Sequence, residues 1–296
     1  MQPLVYRSRW ERMARESMFW GSLDRLIRNP QGLVGLTILL ALVGAAVLAP
    51  WITWHEPNAQ DASARFLSPS WEHPFGTDEL RRDLYSRTLY GLRVSLAISF
   101  FAVGCGAFVG IVVGFVSGYA SGWVDTVIMR AVDALLAFPG LLAALAIITI
   151  LGTGVRNVAI AIAFFSVPSF ARLSRAQMLS ERNRDYVLAA EALGAGALRV
   201  IFGHIARNTV APLLTQVALF MAAAVILSAS LSFLGLGESP PTPSLGGLIN
   251  SSKSNLQTAW WYAAFPGATL AALLLSLNLL ADAINEAINP FARRRA

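Results

Sequence analysis

A chain that does chemistry unaided needs nucleophiles, acids or metal ligands at workable spacing, and here those residue types are sparse. The 296-residue sequence has three histidines, His55, His73 and His204, a single cysteine, Cys105, and a single lysine, Lys253. A zinc hydrolase of the HExxH kind needs two histidines on one helix face with a glutamate between them. The three histidines lie far apart without that spacing, so the sequence predicts neither a metal site nor catalytic residues. Cys105 alone builds no disulfide framework and no thiolate cluster. A nucleotide-gripping P-loop places lysine directly after glycine and before Ser or Thr. Lys253 follows Ser252, which excludes a Walker-type ATPase.

The stretch built for contact is RDYVLAAEALGAGALRVIFGHIARN, from Arg184 to Asn208. DYVLAAEAL reads as a helix rich in strong helix formers, with Asp185 near its positive end. Gly194 and Gly196 break it, and ALRVIFGHI resumes as a second short helix. Gly194 is expected at positive φ, as residues just past a helix C-terminus often are. Such an elbow suits docking into a partner's groove; an amphipathic hairpin lying on lipid fits the same residues.

The elements that must position this elbow are membrane spans. The chain is 55% hydrophobic and only 14% charged, against about a quarter charged in soluble domains. Its mean hydropathy is +0.57. Uncharged runs extend over Asn29–Trp54, Val94–Val124, Ala134–Val155, Asn157–Ala171, Asn208–Gly237 and Ser254–Ala281. A spanning helix needs about 20 apolar residues, so six spans are expected; the short Asn157–Ala171 run reaches across if Arg156 and Arg172 snorkel from its ends. The runs do not alternate as barrel strands do. The fold class is an all-α membrane protein with six transmembrane helices.

The pI of about 10.1 reflects topology rather than nucleic-acid binding. Arginines gather before the first span, between Arg172 and Arg207, and at Arg293, Arg294 and Arg295. The positive-inside bias places both termini and the elbow in the cytoplasm and the Trp54–Arg93 segment outside. The six arginines from Arg7 to Arg28 make too long a leader for a removable signal peptide. The organisation read from this is a cytoplasmic arm over 1–28, with Trp10, Phe19 and Trp20 at the membrane surface, and a first transmembrane helix within 29–54. An extracytoplasmic segment over 55–93 leads to a five-helix core over 94–285. That core holds a cytoplasmic loop over about 180–207, and a tail follows over 286–296.

Within the core, Gly106, Gly110, Gly114, Gly118 and Gly122 recur every fourth residue. They form a flat seam open to close backbone approach, either by a helix of the same chain or by a second subunit. Arg130 and Asp133 are spaced to pair on one helix. Trp260 and Trp261 open the last span as interface anchors. Ser228, Ser230 and Asn278 are polar residues inside spans, where they either line a path or make packing hydrogen bonds. Mid-span acids or cations of the kind used as ion relays are nearly absent, which disfavours a self-sufficient secondary carrier.

The stretch from Leu188 resembles the EAA loop of ABC importer permeases. Ala189, Ala190 and Gly194 match that pattern, while Leu188, His204 and Ala206–Arg207 depart from it. FGTDELRRDLYSRTLYGLRVSL, IMRAVDALLAFP, ERNRDYVLAA, SFLGLGESPPTP, TAWWYAAFPG and NLLADAINEAINP resemble, in order, the second permease subunit of dipeptide, oligopeptide and nickel importers. The resemblance covers about residues 25 to 291. Arg81 stands where that family has glycine before Arg82–Asp83, and Asn285 stands at a usually basic position. The resemblance implies the type I ABC importer permease (MetI-like) fold and a role in ATPase coupling for Asp185, Tyr186, Ala189, Ala190, Glu191, Gly194, Ala195 and Arg199. It implies as partners a homologous permease subunit, two cytoplasmic ATPases that hold ATP and Mg, and an extracytoplasmic binding protein, with no cofactor in this chain. The cargo class implied is a short peptide or similar small solute, with a nickel complex or glutathione as alternatives. An ATP-independent carrier and a non-transporting membrane scaffold are the rival functions.

Overall fold

The computed structural model describes residues 29–62 and 64–288. The arm expected over 1–28, with Trp10, Phe19 and Trp20, and the tail beyond 288 lie outside the described residues. Among the described residues the regular structure is all helix, apart from one isolated bridge between Thr77 and Asp83.

Helix α1 (Pro30–Ile52) starts where Asn29 accepts hydrogen bonds from the backbone of Gln31 and Gly32, with proline at its first position. Both features satisfy or remove helix-end donors. Helix α2 (Leu84–Ala120) begins well before Val94, so the last part of the expected 55–93 outer segment is helix. Asp83 caps it by accepting from Ser86 N. The polar run Ser86, Arg87 and Thr88 is buried rather than solvated. Arg87 Nη1 donates to Pro57 O (2.9 Å) and Asn58 Oδ1 (3.0 Å), which settles a charge that the sequence reading had placed outside a helix.

The expected third span is a broken pair. Helix α3 (Gly122–Leu136) and helix α4 (Gly140–Leu151) meet at 89° across Ala137–Phe138–Pro139. Proline has no N–H to continue the ladder, and it pushes the preceding residue out of the helical region. Helix α5 (Val155–Arg182) does not stop at Arg172 but continues past it for three more turns. Arg172 pairs with Asp133 (2.6 Å), so Asp133 is not bound to Arg130 as its spacing predicts.

Helix α6 (Asp185–Ala192) is short. Helix α7 (Ala206–Phe233) is entered directly through a π-helical segment, Arg199–Ile205, and helix α8 (Leu245–Ser252) precedes the last long helix, α9 (Trp261–Ile288). Among the described residues five helices are long and apolar enough to cross a membrane, and the bent α3–α4 pair, taken as one span, brings the number to six.

The glycine seam faces the same chain. Gly106, Gly110, Gly114 and Gly118 of α2 lie against Ser166, Phe170, Ser174 and Met178 of α5 in step. Ser174 Oγ reaches Gly110 O at 3.3 Å across the seam. Gly122 takes no part, and with φ of 62° it serves the turn into α3. One core cluster joins α2, α4, α5 and α7 through Val103, Ile148, Phe170 and Leu231; another joins α1, α2, α7, α8 and α9 through Ala46, Leu92, Val225, Leu245 and Leu277. Trp260 is exposed, but Trp261 is buried beside Leu84, Leu248 and Tyr262 rather than set at an interface. Large side chains such as Leu40, Trp51, Phe100 and Phe108 remain exposed along the spans, the surface a bilayer covers.

Hydrogen bonds sort the helix ends into two groups. Asn29 Nδ2 meets Glu286 Oε2 at 2.7 Å, joining the start of α1 to the end of α9. At one end of the bundle Arg182 Nη1 donates to Tyr119 O and Ser121 Oγ, and Arg175 holds Asp125. At the other, Gly154 N donates to Gly237 O and Thr153 Oγ1 meets Ser239 Oγ. The α3–α4 pair therefore starts at one end and finishes at the other.

Candidate functional site at the elbow between α5 and α7

The elbow begins at Asn183–Arg184, where Arg184 O accepts from Val187 N and Leu188 N and opens α6. Asp185 lies in its first turn, where a carboxylate complements the helix dipole. The helix closes on Gly194. Gly194 N donates to Glu191 O (2.9 Å), Ala195 N to Ala190 O (3.0 Å), and Gly194 sits at φ 81°. Those two bonds and that dihedral define a Schellman turn, so the expected positive φ is found. Gly196 does a different job: its carbonyl accepts from Arg199 N and Val200 N and launches the next element. The expected second short helix over ALRVIFGHI is no separate unit, because the π-helical Arg199–Ile205 runs unbroken into α7.

The inner face of the elbow is anchored to the spans. Val187, Val200, Ile201 and Ile205 are buried with Phe115 of α2, Met178 of α5 and Leu213 of α7. Tyr186 OH donates to Glu181 Oε2 at 2.6 Å; burial, and then this bond, raise its pKa above the ordinary tyrosine value. Tyr119 OH, from the end of α2, donates to Glu191 Oε1 at 3.3 Å. Arg182 stacks over the Tyr119 ring at 5.3 Å. A movement of α6 thus reaches α2 and α5 through packed side chains.

The outer face is open. Of the residues singled out in the sequence, Asp185, Ala189, Glu191, Gly194 and Arg199 are exposed, while Tyr186, Ala190 and Ala195 are half-buried. Sequence reasoning missed Leu193 and Leu198, exposed by 88% and 73%, and Leu188 at 51%. Their leucine type within an apolar period hid them, since such residues read as inward-facing until the turn geometry is known.

The polar span residues separate. Ser228 is sealed inside the bundle, its carbonyl accepting from Ser232 Oγ. Ser230 lines two apolar clefts of about 380 and 410 Å³ between α4, α7 and their neighbours, with Leu141 and Ile226. Asn278 is exposed on α9. The lone lysine, Lys253, lies over the Phe233 ring at 3.7 Å.

Comparison with known proteins settles what this bundle is. Residues 110–294 match the family described as binding-protein-dependent transport system inner membrane component. The chain belongs to that family. Residues 17–69 match the N-terminal transmembrane domain of oligopeptide transport permease C. The chain is 39% identical to the di/tripeptide transport system permease protein DppC of Pseudomonas aeruginosa, over 94% of this chain and 93% of that one. It is 41% identical to the glutathione transport system permease protein GsiD of Salmonella typhimurium, over 92% and 89%. Its fold resembles a chain of the MetNI methionine ABC transporter in inward-facing conformations, with a TM-score of 0.57 at 15% identity, covering 69% of this chain and 97% of that one. The protein is a multi-pass inner-membrane permease subunit of a binding-protein-dependent ABC importer with the MetI-like fold. Permeases of this family work with ATPase and substrate-binding partners.

Proposed function

We propose that the elbow is where one of two cytoplasmic ATPase subunits docks on this permease, with Leu188, Leu193 and Leu198 entering an apolar groove and Asp185, Glu191 and Arg199 at its rim. ATP and Mg are held by those partners, and this chain performs no catalysis. A homologous permease subunit supplies the other half of the pathway, with Ser230 and Asn278 among its lining, and an extracytoplasmic binding protein delivers the solute. The cargo is a short peptide, in keeping with relatives named for di/tripeptides and for glutathione, itself a tripeptide. The observation that carries the reading is an elbow apolar on both faces: one face is locked to α2, α5 and α7, and the other offers three exposed leucines.

Gly194→Val tests it. A β-branched residue at φ 81° carries on the order of 1–2 kcal/mol of strain. An added Cβ there meets no atom within 4 Å, so no packing is lost. In proteoliposomes with the assembled partners, the variant should insert normally yet lose most dipeptide uptake, or hydrolyse ATP without responding to the binding protein. Normal uptake with normal stimulation refutes the coupling role, and uptake of neither dipeptides nor glutathione by the unsubstituted protein corrects the cargo.

A further inference from the structure

Away from the elbow, the segment between α1 and α2 brings one distant histidine to an adjacent glutamate–histidine pair. His55, Glu72 and His73 each place one donor atom within 4.8 Å of the others. The two imidazole rings stack with centroids 4.7 Å apart and planes 30° from parallel.

The surroundings hold these groups in place. His73 is buried, and its Nδ1 lies 2.9 Å from Asp83 Oδ1. The other oxygen of Asp83 accepts from Ser86 N and Ser86 Oγ, both at 2.7 Å, so the carboxylate is itself fixed at the start of α2. The His73 backbone is tied on both sides: its N–H donates to Ser70 Oγ (3.1 Å), and its carbonyl accepts from Ser70 N and Gly76 N. With Nδ1 turned to a carboxylate, Nε2 is the nitrogen left with a lone pair to offer. A carboxylate behind a histidine in this way fixes the tautomer and raises the basicity of the ligating nitrogen. The charge also suits a dication. Glu72 and Asp83 bring two carboxylates, while the nearby guanidiniums of Arg82 and Arg87 lie 2.7 and 3.5 Å from Asp78.

We propose that His55, His73 and Glu72 bind a divalent cation of the zinc class, with Asp83 orienting His73 and a fourth position left to water or an outside ligand. Two imidazoles and one carboxylate suit zinc and its first-row neighbours, whereas magnesium and calcium take all-oxygen sets. The ion joins the exit of α1, where His55 follows Ile52, to the capped start of α2. It acts as a staple across the segment that connects them.

The test uses the full chain, purified in detergent without a histidine tag, stripped with a chelator and titrated with Zn²⁺ alone against a chromophoric zinc indicator. One tight equivalent is expected. His55→Ala and Glu72→Gln, which leave the His73–Asp83 pair intact, should each weaken it at least about 10–100-fold, the loss seen even for groups outside the ligand shell. His204→Ala, in the elbow at the opposite end, should leave it unchanged. Zn²⁺ should raise the melting temperature of the unsubstituted protein but not of His55→Ala, as a ligand specific to the folded state requires. Absence of a tight equivalent overturns the proposal. So does wild-type affinity in both ligand variants, or equal loss in His204→Ala; each leaves His73 and Asp83 with helix capping alone.

Discussion

Arg81 holds φ at 64°, in the left-handed region, where the resembled family pattern has glycine. Its amide donates to Asp78 O and its carbonyl accepts from Asp61 N, so the turn fixes this backbone whatever side chain stands there. A non-glycine residue in that region costs about 1–2 kcal/mol, against about 0.5–1 kcal/mol of chain entropy that glycine forfeits on folding. The side chain is exposed, so little contact is lost on removing it. Arg81→Gly should therefore exceed Arg81→Ala in stability by about 0.5–1 kcal/mol, read as a higher melting midpoint in detergent. Equal midpoints would show that the turn does not store this strain. The departure from glycine was visible in the sequence; the dihedral that explains it was not. His55 and His73 show the same limit more sharply, because spacing rules for ligands on one helix say nothing of two loop residues whose rings stack across the fold. Gly194 was legible because its signal is local: a helix-forming run, then glycine.

At the scale of elements, periodicity was informative wherever one helix sufficed to set it. The four-residue glycine repeat announced a close approach, and α5 supplies it with Ser166, Phe170, Ser174 and Met178 in the same rhythm. Spacing alone could not name the partner, since any backbone meets a glycine face equally well. Boundaries were poorly legible where charge was taken to end a helix. Arg87 and Arg175 continue α2 and α5 because Asn58 and Asp125 receive them inside the fold. The Phe138–Pro139–Gly140 break was read as part of a continuous run, although proline forbids the bond that continuity needs. The seam itself is open to a direct test. An added Cβ at Gly114 collides with Ser174 Oγ and Ala171 O, and backbone cannot retreat as a flexible side chain would. Gly114→Leu should cost at least about 1–3 kcal/mol of overpacking and lower both the melting temperature and the yield of folded permease. Gly104→Leu, whose added Cβ meets nothing within 4 Å, should cost little. Equal behaviour of the two would remove the seam from the account of stability.

For the whole molecule, internal contacts and charge answer different questions. Contacts place the two ends of the bundle: Asn29, Tyr119, Asp125, Arg182 and Glu286 at one, Thr153, Gly154, Gly237 and Ser239 at the other. We propose from charge which end faces the cytoplasm. Six arginines between Arg7 and Arg28 precede α1, and Arg293, Arg294 and Arg295 follow α9, so the chain enters and leaves at the elbow's end. Short flanking segments rich in Arg stay in the cytoplasm. At the far end, Arg82 and Arg87 are engaged with Asp78. The weakest crossing is the bent α3–α4 pair, which a purely local view would accept as a re-entrant loop returning to the side it left. Its exit at Thr153, bonded to Ser239 at 3.0 Å, says that it crosses. In a Cys105→Ser background, single cysteines at Ser68, Thr153 and Ala197, all exposed positions, separate these possibilities. A membrane-impermeant thiol reagent applied to intact cells should label Ser68→Cys and Thr153→Cys, and should reach Ala197→Cys only after permeabilisation. Labelling of Ala197→Cys from outside would invert the whole topology. Thr153→Cys labelling only after permeabilisation, with Ser68→Cys still open, would leave the orientation intact and reduce the crossings to five, an odd number that cannot return the chain to the side where Asn29 and Glu286 meet.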